Sequence, residues 1–408
     1  MPLKRIFNKF RSKLLNAELE LLKLRSRRRG YDLIPRKVPS YSEIIIDNYY
    51  ETEYKKNALL SYLIDPFINE IQKNHSNYRE CFIMSEIMHE LGYNVDIINW
   101  DNTTFIPKKK YDLVIDNHDN LKRLSSYFSN ETAKVFHATN AHWLYQNATE
   151  YNRCFHVFEK YGRAVEPVRL RTPGNSAEHC DVISMFGNEF TAATYGKYSH
   201  MIQHLPMSVS TDPEIIMGKD FGKAKKNFIW FNSYGALLKG LDVIIEAFNR
   251  VPDLELFVCG KLEPEAGLIQ TTMIQSKITP NIHFQGWVET DGEEFKKLLL
   301  ETAWVISASF SEGGGGSILN CMAKGLIPII SRSTSITLPD NTGFYIENNE
   351  TATLDKLLLS LSQLPDATVK ELSLHSFEFI SSNHTLKNFK QGYTNFLQEI
   401  TLDLPVKM

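Results

Sequence analysis

Along this chain, short apolar and β-branched runs alternate with stretches whose apolar residues recur every three or four positions. The first pattern predicts strands over 59–64, 94–99, 112–117, 134–139 and 181–186; the second predicts a helix over 79–91 that stops at Gly92. Gly187 and Asn188 then open a short helix, and over 206–213 the pattern loosens into a linker holding Pro206 and Pro213. Beyond it, strands are predicted over 228–231, 254–260, 281–286, 304–309 and 326–331. Helices are predicted over 239–250 and 293–302, and two more close the chain over 371–382 and 386–400. Such strand–helix alternation makes parallel sheets, whose ligands bind outside the carboxyl ends of the strands. The expected fold class is α/β: two Rossmann-like, doubly wound domains facing each other across a cleft.

Length supports that division, because 408 residues exceed what one hydrophobic core usually sustains. The expected boundaries are an extension over 1–40, domains over 41–208 and 209–385, and a final helical segment over 386–408, with 31–54 read as a connector. Net charge is -3, which gives no global attraction for nucleic acid. The five cysteines (Cys81, Cys154, Cys180, Cys259, Cys321) are scattered without metal-ligand spacing, which fits a reducing, cytoplasmic location. No apolar run is long enough to span a membrane. The first 30 residues, however, carry ten basic side chains against Glu18 and Glu20, with Leu3, Ile6, Phe7, Phe10 and Leu14 at helical spacing. A basic amphipathic helix of this kind lies on an anionic surface, here the inner face of a membrane; a solvated tail is the plainer alternative.

The richest chemistry lies between the last two strands of the second half. Four consecutive glycines, Gly313, Gly314, Gly315 and Gly316, join a strand to a helix opening near Ser317. Glycine there permits close backbone approach, and a helix start offers unpaired N–H groups and a positive dipole end, which suit a diphosphate. Glu312 stands at the mouth of the loop, where a carboxylate accepts hydrogen bonds from sugar hydroxyls. Asn320, about one turn into the helix, comes within reach of a ribose. The alternative is a loop that merely turns the chain.

Glu312-Gly313-Gly314-Gly315, Met322-Ala323-Lys324-Gly325 and Pro328-Ile329-Ile330 follow one another in an order and spacing that resemble the signature of glycosyltransferase family 4 and its relatives, the group 1 glycosyltransferases. The likeness extends back to Lys239-Gly240-Leu241-Asp242 and Phe284-Gln285-Gly286-Trp287-Val288, covering roughly 225–335. It implies the GT-B architecture, with an acceptor domain first, a donor domain second, and the closing helix crossing back to the first. It further implies a retaining, metal-independent transfer of a sugar from a nucleotide diphosphate donor, UDP- or GDP-linked, to a glycan or glycolipid hydroxyl in surface polysaccharide or glycolipid assembly. Carried over, Lys239 meets the donor phosphates, Glu312 holds the donor sugar, Gly314 to Ser317 offer backbone donors, and Gly260, Gly286, Trp287 and Val288 lie around the nucleotide. Two positions depart from the family pattern. Asn320 stands where a second Glu is usual, and Tyr234 where an Arg is usual, so Ser233, Tyr234 and Gly235 form a different phosphate turn. These departures motivate a non-catalytic partner subunit as an alternative; a nucleotide-sugar epimerase is the other.

His137 and His142 bracket the end of a first-domain strand, and the resemblance gives a His there a place beside the donor sugar. His142 therefore joins Glu312 and Lys239 as a catalytic candidate. His75, Asp116 and His137 are candidates on the acceptor side. Asp116 and Asp119 lack the Asp-x-Asp spacing of metal-dependent transferases and read as a helix start or an acceptor contact. No metal and no cofactor beyond the nucleotide-sugar co-substrate is expected.

Overall fold

The computed structural model describes residues 40–69, 71, 76–262, 265, 279–347 and 351–402. The basic amphipathic segment, its membrane contact and His75 lie outside the described residues.

Two sheets form the body. The first has seven strands: β1 (Ile45–Ile46), β2 (Lys56–Tyr62), β3 (Tyr93–Asn99), β4 (Leu113–Asp116), β5 (Ala133–Ala138), β6 (Val182–Met185) and β7 (Ile202–His204), in the order β1-β3-β2-β4-β5-β6-β7. All pairings are parallel except β1 with β3, so part of the segment read as a connector adds an antiparallel edge strand. The second sheet is wholly parallel: β8 (Asn227–Phe231), β9 (Glu255–Cys259), β10 (Ile282–Gly286), β11 (Trp304–Ser307), β12 (Ile327–Ile330) and β13 (Phe344–Tyr345), in the order β10-β9-β8-β11-β12-β13. Its central strands are apolar on both faces because helices cover both, which is why β11 and β12 read as unbroken runs in the sequence.

The helices that position the site are α1 (Ser76–Glu90), α2 (Trp143–Tyr161), α3 (Leu241–Phe248), α4 (Glu293–Glu301), α5 (Gly316–Met322), α6 (Thr351–Ser362), α7 (Asp366–Asn383) and α8 (Leu386–Leu402). α8 returns to the first sheet, where Phe389, Tyr393, Phe396 and Leu397 share one core with Met84, Ile87 and Ile97. α2 was not foreseen as a helix. Its buried positions are Gln146, Glu150, Arg153, Cys154 and Val157, whereas Leu144, Tyr151, Phe155 and Phe158 are exposed, so its apolar periodicity marks the wrong face.

The linker after β7 is gripped by α1. Glu80 Oε1 accepts from Ser208 N (2.7 Å) and Ser208 Oγ (2.8 Å), and Arg79 donates to Ser210 O (2.6 Å). Full burial pushes the Glu80 carboxyl up to about 7 from its ordinary 4.5. The folded protein therefore holds a proton between those values that the unfolded chain releases, and stability falls as pH rises through that window. Glu80→Gln keeps the acceptor oxygen without the charge. We expect this variant to melt with the wild type at pH 5 and above it by several degrees at pH 8; equal melting at both pH values would contradict this origin of the slope.

Candidate active site

The turn between β8 and α3 is built for close approach. Gly240 has φ of +68°, and a Cβ on it would lie 2.2 Å from Ala308 O at the end of β11. That contact delivers Lys239, 5% exposed, to the loop carrying Glu312, and its ammonium forms an ion pair with the Glu312 carboxylate. Burial lowers the Lys239 pKa; Glu312 opposes that shift, and Arg169 and Arg171 of the first domain add to it. The backbone of Glu312 is fixed as well, since its carbonyl accepts from Ser335 Oγ (3.0 Å), which in turn accepts from Thr191 Oγ1 (2.5 Å). Ser335 holds this bridge in a left-handed conformation, φ +69°, which a non-glycine residue adopts at a cost.

The four glycines meet other parts of the chain. A Cβ on Gly313 would lie 1.9 Å from Thr139 O, on Gly314 2.9 Å from Met207 Sδ, on Gly315 2.6 Å from Ile336 Cδ1, and on Gly316 2.8 Å from Met207 Cε. The bare backbone of Gly313, Gly314 and Gly316 therefore serves first as a docking face for the first domain and the linker, while Gly315 packs within the second domain. Among the described residues, none of the amides from Gly313 to Ser317 donates a hydrogen bond, so this strip also keeps donors available to an anion.

The other donor-side candidates divide. Ser233, Tyr234 and Gly235 form the turn after β8, with Ser233 O accepting from Lys261 N (2.6 Å). Gly260 is packed against Asn232 O, 2.5 Å from where a Cβ would stand. Trp287 is 44% exposed, bonded through Nε1 to Glu289 (2.7 Å), with the Lys261 ammonium 4.7 Å above its ring, which is an open aromatic platform. Val288 is buried in the core, so only its backbone can face a ligand. Asn320 is occupied: its Oδ1 accepts from Ser210 N (2.8 Å) and its Nδ2 donates to Ser210 Oγ (3.1 Å). A ribose contact would have to displace those bonds, and in this structure Asn320 clamps the linker.

On the first-domain side a cavity of about 410 Å³ is walled by Trp100, Asn117, His118, His142, Trp143 and Arg171. His142 is the N-cap of α2, its Nδ1 accepting from Leu144 N (3.3 Å); partial burial lowers its pKa, which favours the neutral ring. Two acceptor-side expectations need correction. His137 is fully buried against Tyr62, Phe186 and Tyr393, bonds Ser184 through Nδ1 (2.9 Å), and is pushed by burial down to about 3, so it is a neutral core residue. Asp116 is also fully buried. It accepts from Ser61 Oγ, Ser176 Oγ (both 2.6 Å) and Leu121 N (3.1 Å), which makes it a structural tie at a helix start.

Sequence reading missed Arg169 and Arg171. Both sit on an extended segment after α2 and enter the cleft beside Tyr234 and Glu312. The available signal was two arginines one residue apart, between Pro167 and Pro173, on a stretch with neither helical nor strand pattern.

Residues 225–363 match the family model of group 1 glycosyl transferases. No curated protein matches the chain. Among solved structures, the chain is similar to a sucrose-phosphate synthase from Thermosynechococcus elongatus, with TM-score 0.58 and 13% identity over 85% of this chain and 99% of that one. It is similar to a glycosyltransferase from Rickettsia africae, with TM-score 0.55 and 14% identity over 86% and 100%. It also resembles Anabaena Alr3699/HepE, solved with UDP and glucose, with TM-score 0.54 and 10% identity over 84% and 99%. These likenesses establish the two-domain GT-B fold.

Proposed function

We infer that this chain, whose residues 225–363 form a group 1 glycosyl transferase domain, moves a sugar from a nucleoside diphosphate carrier to a hydroxyl acceptor, with retention and without a metal ion. The observation that carries this reading is the Lys239–Glu312 pair beside a glycine strip with unbonded amides. Lys239 places a charge where a leaving diphosphate develops one, and Glu312 accepts hydrogen bonds from the sugar. The acceptor hydroxyl enters from the cavity by His142, and domain closure limits hydrolysis by excluding water. The likeness to a protein solved with UDP and glucose makes UDP-sugars the first donors to try, with GDP-sugars next. A glycan or glycolipid of surface polysaccharide assembly is the proposed acceptor class. The basic segment over 1–40 would keep the protein by the inner membrane face.

The test is acceptor-dependent release of nucleoside diphosphate from UDP-, GDP-, ADP- and dTDP-sugars, with and without chelator. We expect release with one donor class, unchanged by chelator. Donor bound without turnover would favour the partner-subunit reading, for which the engaged Asn320 speaks. Donor isomerised without acceptor would mean an epimerase.

A further inference from the structure

The segment after α2 is held along its length by that helix. Glu150 Oε1 accepts from Val168 N (2.8 Å) and Arg169 N (3.0 Å), and Gln146 Nε2 donates to Arg169 O (2.7 Å). Asn147 closes a two-bond ring with Arg171, donating to its carbonyl (2.9 Å) and accepting from its N–H (2.7 Å). Three polar side chains of α2 thus fix the backbone of both arginines. α2 is itself tied to the second domain: Arg153 pairs with Asp242 (2.5 Å) and lies 4.1 Å from the Phe310 ring centroid, and Tyr161 donates to Glu246 (2.6 Å).

So held, the arginines project across the cleft. The Arg169 guanidinium lies 4.5 Å from the Tyr234 ring centroid, and its stem fills the space a side chain at Gly235 would need, 2.3 Å from that missing Cβ. Its Nε is buried with no hydrogen-bond partner among the described residues. Arg171 bonds the Asn140 side-chain oxygen and interacts with Glu312. Neither arginine has an ion-pair partner among the described residues, whereas Lys239 already holds Glu312. Lys239 and Arg171 therefore both act on the Glu312 carboxylate with Arg169 beside Lys239, which leaves two half-buried guanidinium groups without an ion-pair partner of their own among the described residues.

We propose that Arg169 and Arg171 of the first domain bind the diphosphate of the donor, supplying from across the cleft the positive charge that Tyr234 does not. This rests on the transferase reading above, and it adds that the phosphate site is complete only when the two domains are closed. An exposed aromatic at 234 and glycine at 235 then have a purpose, a stacking plane and a passage for Arg169.

The test compares binding of UDP, GDP, ADP and dTDP with that of their monophosphates by calorimetry, in wild type, Arg169→Gln, Arg171→Gln and Lys239→Ala. Far-UV circular dichroism and melting curves check folding. We expect the diphosphate-over-monophosphate preference of the wild type to fall about tenfold or more in each arginine variant, with a shallower salt dependence. Tyr234→Arg added to Arg169→Gln should restore part of that preference, which a structural role for Arg169 would not produce. Preference lost in Lys239→Ala but kept in both arginine variants would overturn the proposal and leave the transferase reading standing. A preference kept while only the KM for a phosphorylated acceptor rises would overturn it too, assigning the arginines to the acceptor. No nucleotide bound by any form would overturn both.

Discussion

Gly313→Ala is expected to abolish transfer while leaving both sheets folded. The new methyl would stand 1.9 Å from Thr139 O and 2.6 Å from the Asn140 Cα, and these are backbone atoms that cannot swing aside. Relief requires the glycine loop and the first domain to separate. Glu312 is the preceding residue, and its carbonyl is held by Ser335, itself bonded to Thr191 of the first domain. Separation therefore shifts the Glu312 carboxylate relative to the cavity beside His142, and in a transferase site built on both a displacement of about 1 Å costs about 10²-fold in rate. We expect kcat at least about a hundredfold lower, far-UV circular dichroism unchanged and a larger radius of gyration in solution scattering. Near-normal turnover would show that the contact between Thr139 and Gly313 is absent from the working enzyme.

Lys239→Ala carries the second large effect. The ammonium is buried and sits at the meeting point of the turn after β8, Glu312 and the two arginines, so no solvent cation can take its place. Removing a preorganised charge from a leaving-group site typically costs about 10²–10³ in kcat. The stability change should be smaller than for an ordinary buried ion pair, because Arg171 also interacts with Glu312 and partly compensates the carboxylate left behind. The check is steady-state kinetics with a saturating acceptor, beside melting curves. A fall in kcat of less than tenfold would remove Lys239 from the phosphate site.

What the sequence showed and what it hid have physical causes. The second sheet was legible because parallel strands covered on both faces are unbroken apolar runs, as in Trp304–Ser307 and Ile327–Ile330. Lys239, Glu312 and the glycines were legible because their chemistry is local to one turn and one loop. α2 was hidden because it buries Gln146 and Glu150 to hold the segment beyond it and Arg153 to pair with Asp242, and exposes Leu144 and Phe155. The arginines it carries could not be placed from spacing, since their neighbour Tyr234 lies more than sixty residues away in sequence. His137, and Asp116 as an acceptor contact rather than the helix start it is, misled for the opposite reason. They stand at strand ends that face a cleft, but strand residues alternate in direction, and these two point into the core. Asn320 occupies the helix position the family pattern gives to a ribose contact, yet a linker serine claimed its amide first.

The central claim is that the cleft between Lys239, Glu312 and the glycine strip binds a nucleoside diphosphate sugar. Calorimetric titration of UDP-, GDP-, ADP- and dTDP-sugars into wild type and Lys239→Ala tests it most directly. One donor class should bind the wild type, and its affinity should drop at least about tenfold in the variant. Well-folded wild type that binds none of the four, or binds one equally well without Lys239, would contradict the account.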